Sequence, residues 1–249
     1  MLEPTDLIIL FALTFAASFV AALTGGAGLF TIPLMILLGV PAPIALSTNK
    51  VGSLGMMSGA LVRLRRGDYL DWSLSIKLAL LAGIFSYFGA HLLGWFDHDF
   101  LRTAAGVMVL LILLASLWFR SLGIEDIETS NRRKLLAYPI CSACFFIGGF
   151  FGAGIGVITA FTMMYFRGQN IISARGNTML PHLAMSATSL VVLDKAGFVD
   201  WELGALLAVA MTFGSYSGTS FGIKKGPSWV KKLFEAIIAV MALALLLGV

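Results

Sequence analysis

Lys50 and Arg175 are the residues whose setting could do chemistry. Each lies in a long apolar stretch, and each is flanked by directed hydrogen-bonding groups: Thr48-Asn49-Lys50 in the first half, Arg175-Gly176-Asn177-Thr178 in the second. A charge inside an apolar span is costly and faces a cavity or a partner. No Asp or Glu is close to either cation in sequence. A cation without a neighbouring carboxylate, beside hydroxyl and amide groups, suits a small anion. The competing reading is snorkelling, since both lie within about two turns of a helix end. His182 follows Pro181 two turns beyond Arg175. It could bind the anion or carry a proton near neutral pH, or be a satisfied core group. His91 reads as structural.

Two glycine clusters stand beside these cations in chain order: Gly25, Gly26 and Gly28, then Gly152, Gly154 and Gly156. Glycine permits a sharp break and close backbone approach. A half-helix that starts after such a break aims free N–H groups and a positive dipole end inward, which is an anion site. Gly26, Gly28, Gly152 and Gly154 are therefore candidate backbone ligands. The alternative is close helix packing by small residues. Gly152 to Gly156 is no dinucleotide fingerprint, because no βαβ unit surrounds it.

Of the thirteen acidic residues only Glu235 enters an apolar span, one turn beyond Lys231. Cation transporters and proton pumps need buried carboxylates, so a cation substrate is disfavoured. There is no His-Glu-x-x-His motif or buried carboxylate pair, and Ser186 near His182 lacks a positioned base. No enzyme activity, metal site or cofactor is expected. Cys141 and Cys144 sit in an apolar run and read as small packing residues three apart on one helix. Asp71-Trp72 and Asp200-Trp201 read as helix caps with interfacial tryptophans. Tyr216, Ser215 and Ser217 could line a cavity, but serines between membrane helices read mostly as packing glue.

The elements that must position these residues follow from composition. The chain has 249 residues, 59% hydrophobic and 12% charged, with a mean hydropathy of +0.93. A soluble chain is nearer a quarter charged, so an integral membrane protein is expected, without a cleaved leader. Apolar runs predict helices over 7–24, 44–64, 72–94, 101–119, 135–151, 171–193, 201–222 and 230–248. Two shorter runs, 28–39 and 154–166, follow the glycine breaks and are too short to span, so they read as re-entrant half-helices or kinked elements.

The layout occurs twice. The Gly-Ala-Gly triplets end at Gly28 and Gly154 (154 − 28 = 126), the asparagines are Asn49 and Asn177 (177 − 49 = 128), and the tryptophans are Trp72 and Trp201 (201 − 72 = 129). Paired broken segments in corresponding halves point to a transporter's binding site. The basic clusters at Arg63, Arg65, Arg66, at Arg120, Arg132, Arg133, Lys134 and at Lys224, Lys225, Lys231, Lys232 are placed in the cytoplasm. Both termini then fall outside. Five elements per repeat turn the second half upside down relative to the first. The expected fold is an all-α polytopic single domain over 1–249. Its two inverted-topology repeats, about 5–120 and 134–249, are joined by a loop at 121–133.

The pattern Gly-Ala-Gly, Pro33, Leu38-Gly39-Val40-Pro41, Ala45-Leu46-Ser47-Thr48-Asn49-Lys50, Ser58-Gly59-Ala60, Arg65-Arg66-Gly67 and Asp71-Trp72 resembles the sulfite exporter TauE/SafE family of bacterial transporters. The resemblance covers the whole chain, more loosely in the second half. It implies secondary transport, in the export direction, of small sulfur-containing anions such as sulfite or sulfoacetate. It also implies an inner-membrane protein with two repeats enclosing one site. The motif itself carries over only at Thr48, Asn49 and Lys50; Arg175, Asn177, Thr178 and His182 follow from the internal symmetry. Expected partners are the anion, the bilayer and, left open, a second copy as a homodimer; nucleic acid is not expected. Rival readings are transport of another small anion or carboxylate, and a non-transporting membrane scaffold.

Overall fold

In the computed structural model the structure describes residues 3–67, 69–97, 99–101, 103, 107, 122–233 and 236. These residues form helices and connecting turns, with no strand among them. We number the helices α1 (Pro4–Thr24), α2 (Gly28–Leu37), α3 (Ala42–Leu64), α4 (Trp72–Ala90), α5 (Asn131–Phe150), α6 (Ile155–Arg167), α7 (Ile171–Lys195) and α8 (Trp201–Lys225), with a short 3-10 turn at Leu93–Trp95. The expected helices over 7–24, 44–64, 72–94, 135–151, 171–193 and 201–222, and the two short runs 28–39 and 154–166, therefore form, with ends shifted by a few residues. Most of 101–119 and 230–248, with Asp68, His98, Arg120 and Glu235, lies outside the described residues.

Local chemistry sets the boundaries. Asp71 and Asp200 cap α4 and α8 by accepting from the N–H of Leu74 and Leu203, both at 3.0 Å. Asn170 caps α7 through its side-chain oxygen, and Ser130 caps α5. Gly25, at φ 85°, ends α1, and Gly154, at φ 76°, precedes α6. α2 and α6 are short, at 10 and 13 residues.

Polarity is turned inside out relative to a soluble bundle. Large apolar side chains face outward along α4 and α8, including Ile76, Leu80, Phe88 and Phe213. Thr48, Asn49, Lys50, Arg175, Asn177 and His182 are buried. By length and composition, two helical segments among the described residues are apolar enough to cross a membrane: Pro4–Thr24 at mean hydropathy 2.4 and Trp72–Trp95 at 1.6. α3, α5, α7 and α8 are long enough, but their averages are lowered by polar residues, which in α3 and α7 cluster on buried positions. Cys141 and Cys144 lie on α5 as buried free thiols.

Every major helix pairing has a counterpart across the two halves. α3 packs on α8 as α7 packs on α4, and α1 packs on α8 as α5 packs on α4. Small residues allow these approaches. Gly55 and Gly59 of α3 lie against Ala208 and Thr212 of α8, while Gly214 and Gly218 lie against Phe15 and Phe19 of α1. Ser215 Oγ donates to Met56 O, as the packing reading required, and Ser86 bonds Thr188 at 2.7 Å.

Both registers ascend together, so α3 and α8 run in the same sense, as do α1 and α8. Arg63 Nε donates to Ser220 Oγ where α3 and α8 end. Asp126 accepts from the N–H and Nδ2 of Asn170, tying the segment before α5 to the start of α7. Asn177 accepts from Asp71 N, tying the first turns of α7 to the start of α4, just beyond Leu64. These contacts gather Arg63, Arg65, Arg66, Arg132, Arg133, Lys134, Lys224 and Lys225 at one end of the bundle.

Candidate functional site

The two chain breaks, one after α1 and one after α5, meet in the interior. A methyl group on Gly25 would lie 2.9 Å from Gly156 C, and one on Gly28 would lie 3.6 Å from Ala153 Cα. Only glycine permits this contact together with the positive φ of Gly25 and Gly26. The starts of α2 and α6 are thereby brought side by side. The N–H groups of Gly26, Ala27, Gly28, Gly152, Ala153 and Gly154 have no hydrogen-bond partner among the described residues. First-turn donors of this kind are what an anion pairs with.

Both cations reach this meeting point. Lys50 is 2% exposed and Arg175 0%. Lys50 Nζ donates to Gly148 O, in the last turn of α5, and lies 3.4 Å from where a methyl on Gly152 would be. Lys50 thus belongs to the first half and binds the break of the second. Arg175 Nη1 donates to Gly156 O at 3.0 Å and would lie 3.2 Å from a methyl on that glycine. Nη2 finds only the Met179 sulfur at 4.0 Å, and Nε is buried without a partner. No carboxylate among the described residues pairs with either cation. An ammonium has three donors and a guanidinium five, so most of their donor capacity is unspent. Two buried charges with free donors beside two helix starts are the chemistry that suits an anion.

Other side chains close the ring. Asn49 Oδ1 accepts from Thr31 Oγ1 at 2.6 Å, and Asn49 Nδ2 would lie 3.1 Å from a methyl on Gly28. His182 is 3% exposed. Its Nδ1 lies 2.6 Å from Thr178 O and its Nε2 3.3 Å from Thr159 Oγ1. Thr159 also bonds Gly156 O, the carbonyl that holds Arg175. The sequence reading missed Thr31 and Thr159. Their signal was available: each stands three residues after a break glycine, Gly28 or Gly156, at the same spacing as the paired asparagines.

The structure gathers Gly26, Gly28, Asn49, Lys50, Gly152, Gly154, Arg175 and His182 around the joined breaks. The remaining candidates have other contacts. Thr178 Oγ1 donates back along its own helix to Ala174 O and Arg175 O. Thr48 Oγ1 accepts from Asp200 N at 3.0 Å, and Asn177 Oδ1 accepts from Asp71 N at 2.7 Å and Ser75 Oγ at 3.3 Å. His91 sits at the exposed end of α4, edge-on to Tyr87.

A helical bundle, apolar outside and cationic at two broken helices inside, is the architecture of a polytopic membrane protein. The chain belongs to the sulfite exporter TauE/SafE family, which it matches over residues 10–245. It is 28% identical to the probable membrane transporter protein YfcA of Escherichia coli K12, over 99% of this chain and 91% of that protein. It is 28% identical to a probable membrane transporter protein of Haemophilus influenzae (95% and 91% covered) and 26% identical to the probable membrane transporter protein ORF9 of a Sinorhizobium species (96% and 92%). No solved structure matches the chain. The protein is therefore a membrane transporter of this family.

Proposed function

We propose that the chain is a secondary transporter that carries a small sulfur-containing anion, sulfite or an organosulfonate such as sulfoacetate, across a bacterial inner membrane by alternating access. Export is the direction the family description supports. The observation that carries the reading is the buried pair Lys50 and Arg175, without a carboxylate partner among the described residues, converging on two adjoining helix starts. In this reading the two cations supply charge. The N–H groups around Gly26, Gly28, Gly152 and Gly154 supply dipoles, Asn49 and His182 complete the ring, and Thr48, Asn177 and Thr178 brace the helices that carry the cations. The near-complete burial of the cations corresponds to an occluded state.

We infer that the halves, about 5–120 and 134–249, joined at 121–133 within one domain, are inverted relative to each other, as alternating access requires. α3 begins where α8 begins, and α7 begins where α4 begins, at the opposite end. Equivalent helices α3 and α7 then run in opposite senses, with α2 and α6 as half-helices. Collection of the basic side chains at one end supports a cytoplasmic location for that end. The amino terminus is then periplasmic, and we place the carboxyl terminus there as well.

The test is thermal stabilisation of the detergent-purified protein by sulfite, sulfoacetate, taurine, sulfate and acetate. A native-state ligand raises the melting temperature in a concentration-dependent way. A selective rise with a sulfur oxyanion or sulfonate, lost in Arg175→Met, is expected. A selective rise with acetate would replace the sulfur anion by a carboxylate. No rise with any anion in folded protein refutes the reading.

A further inference from the structure

Thr48 and Asn177 carry a relation that substrate binding does not require. Each lies about two turns into its helix, and each accepts a hydrogen bond from the backbone N–H that opens a helix of the opposite half. Thr48 of α3 holds Asp200 at the start of α8, and Asn177 of α7 holds Asp71 at the start of α4. Asp200 and Asp71 are the N-caps of those helices. The exchange is reciprocal: each half latches the other once, from a residue six positions beyond the first residue of its helix.

The two latches stand toward opposite ends of the bundle. Asn177–Asp71 lies toward the end that carries Arg63, Arg65 and Arg66, because seven residues separate Leu64 from the start of α4. Thr48–Asp200 lies toward the other end, where five residues join Lys195 to α8. Between them sit Lys50, Arg175 and the joined glycine breaks. The acceptor atoms of Thr48 and Asn177 are engaged, while the Thr48 hydroxyl hydrogen and Asn177 Nδ2 have no partner among the described residues. Their donors stay available toward an anion while their acceptors hold the helix starts.

We propose that Thr48–Asp200 and Asn177–Asp71 are the two gates of the transport cycle, one for each membrane face, both closed in this structure. The proposal rests on the alternating-access reading. Thr48 and Asn177 are positioning residues: opening one face breaks one latch and keeps the other. Loss of one buried hydrogen bond, with its N–H left unpaired, shifts a two-state balance by about tenfold.

The test uses Cys141→Ser/Cys144→Ser protein with one reporter at a time, Ala45→Cys or Ala174→Cys. Both positions are fully buried, and each stands one turn outward of its latch residue on the same helix face. A membrane-impermeant maleimide is applied to right-side-out and inverted vesicles. Thr48→Val is expected to raise Ala45→Cys labelling about tenfold, from the face bearing the 196–199 turn only. Asn177→Leu is expected to raise Ala174→Cys labelling from the other face only. Thr48→Ser, which keeps the hydroxyl, should label like the parent. Opening of the wrong face, of both faces, or of neither overturns the gate assignment. Retained stabilisation of the same variants by anion, with labelling unchanged, would overturn the gates and leave anion binding standing. Loss of anion stabilisation in the parent would instead remove the transport reading beneath it.

Discussion

Lys50→Met separates a functional cation from a structural one. The substitution keeps an unbranched side chain of similar length and removes the ammonium. The fold loses one hydrogen bond, to Gly148 O, and an unpaired buried carbonyl costs about 1–3 kcal/mol. The fold also loses a buried charge with no counter-ion, whose desolvation costs several kcal/mol. The apo protein should therefore melt at the same temperature or higher. Binding should move the other way. A charge-assisted hydrogen bond to an anion is worth about 1.5–3 kcal/mol, so affinity falls roughly 10- to 150-fold. At an anion concentration 100 times the parent Kd, ligand stabilises the parent by about 2.7 kcal/mol; after a 100-fold loss it stabilises the variant by only about 0.4 kcal/mol. Melting curves of parent and variant, with and without anion, read both quantities. A variant that melts well below the parent and keeps the full anion shift would refute the reasoning and make Lys50 a structural cap on α5.

Gly156→Ala adds a methyl 3.2 Å from Arg175 Nη1 at a helical position that tolerates alanine. It should preserve or raise stability, by up to about 1 kcal/mol, while weakening anion binding about tenfold in equilibrium titration. Gly25→Ala fails differently, because φ is 85° and the methyl meets Gly156 backbone at 2.9 Å; strain of about 1–2 kcal/mol from the conformation alone plus the clash should lower the melting temperature, and a parent-like melt would disprove the close approach. Arg175→Lys keeps the charge but not the planar fork, so affinity for a trigonal oxyanion should drop more than affinity for chloride, and an equal drop in competition titrations would count against an oxyanion site. Cys141→Ser/Cys144→Ser should leave binding unchanged and the parent thiols should resist maleimide in folded protein, since both are buried.

Much of this was legible in the sequence because membranes enforce simple rules. The long apolar runs within the described residues became helices, Asp71 and Asp200 became caps, and the glycine clusters became breaks that meet. Arg175 and Lys50 were identifiable because an unpaired charge in an apolar segment has few innocent uses. What sequence spacing could not assign was which atom of a polar residue is occupied. Thr48 and Asn177 stand beside the cations in the chain, yet their acceptors turn to the opposite half, a contact spanning 152 and 106 residues. Thr178 turns back along its own helix. Adjacent helical residues point about 100° apart, so neighbours in sequence divide between the ring around the breaks and the contacts at the two ends. Low mean hydropathy in α3 has the same origin, because its polar side is hidden inside.

The scaffold is nearly two-fold, but the site is not. Helix pairings, caps, latches and the threonines Thr31 and Thr159 all have counterparts, whereas the cations do not. At the asparagine spacing Lys50 corresponds to Thr178, and Arg175 to Ser47. Lys50 crosses from the first half, Arg175 comes from the second, and both are held by carbonyls of the second half's break, Gly148 and Gly156. Under the proposed alternating access, a symmetric scaffold gives two equivalent ways to open, one toward each face, at similar cost. In the proposed cycle an asymmetric pair of cations gives one resting place for the anion whichever face is open. The first half's break contributes N–H groups to that place, and its lysine reaches across the contact between the halves. Motion between the halves must then change the Lys50 contact more than the Arg175 contact, because Arg175 and its acceptor belong to the same half. Lys50 is for that reason the cation whose replacement should alter transport rate as well as affinity, while Arg175 chiefly sets affinity.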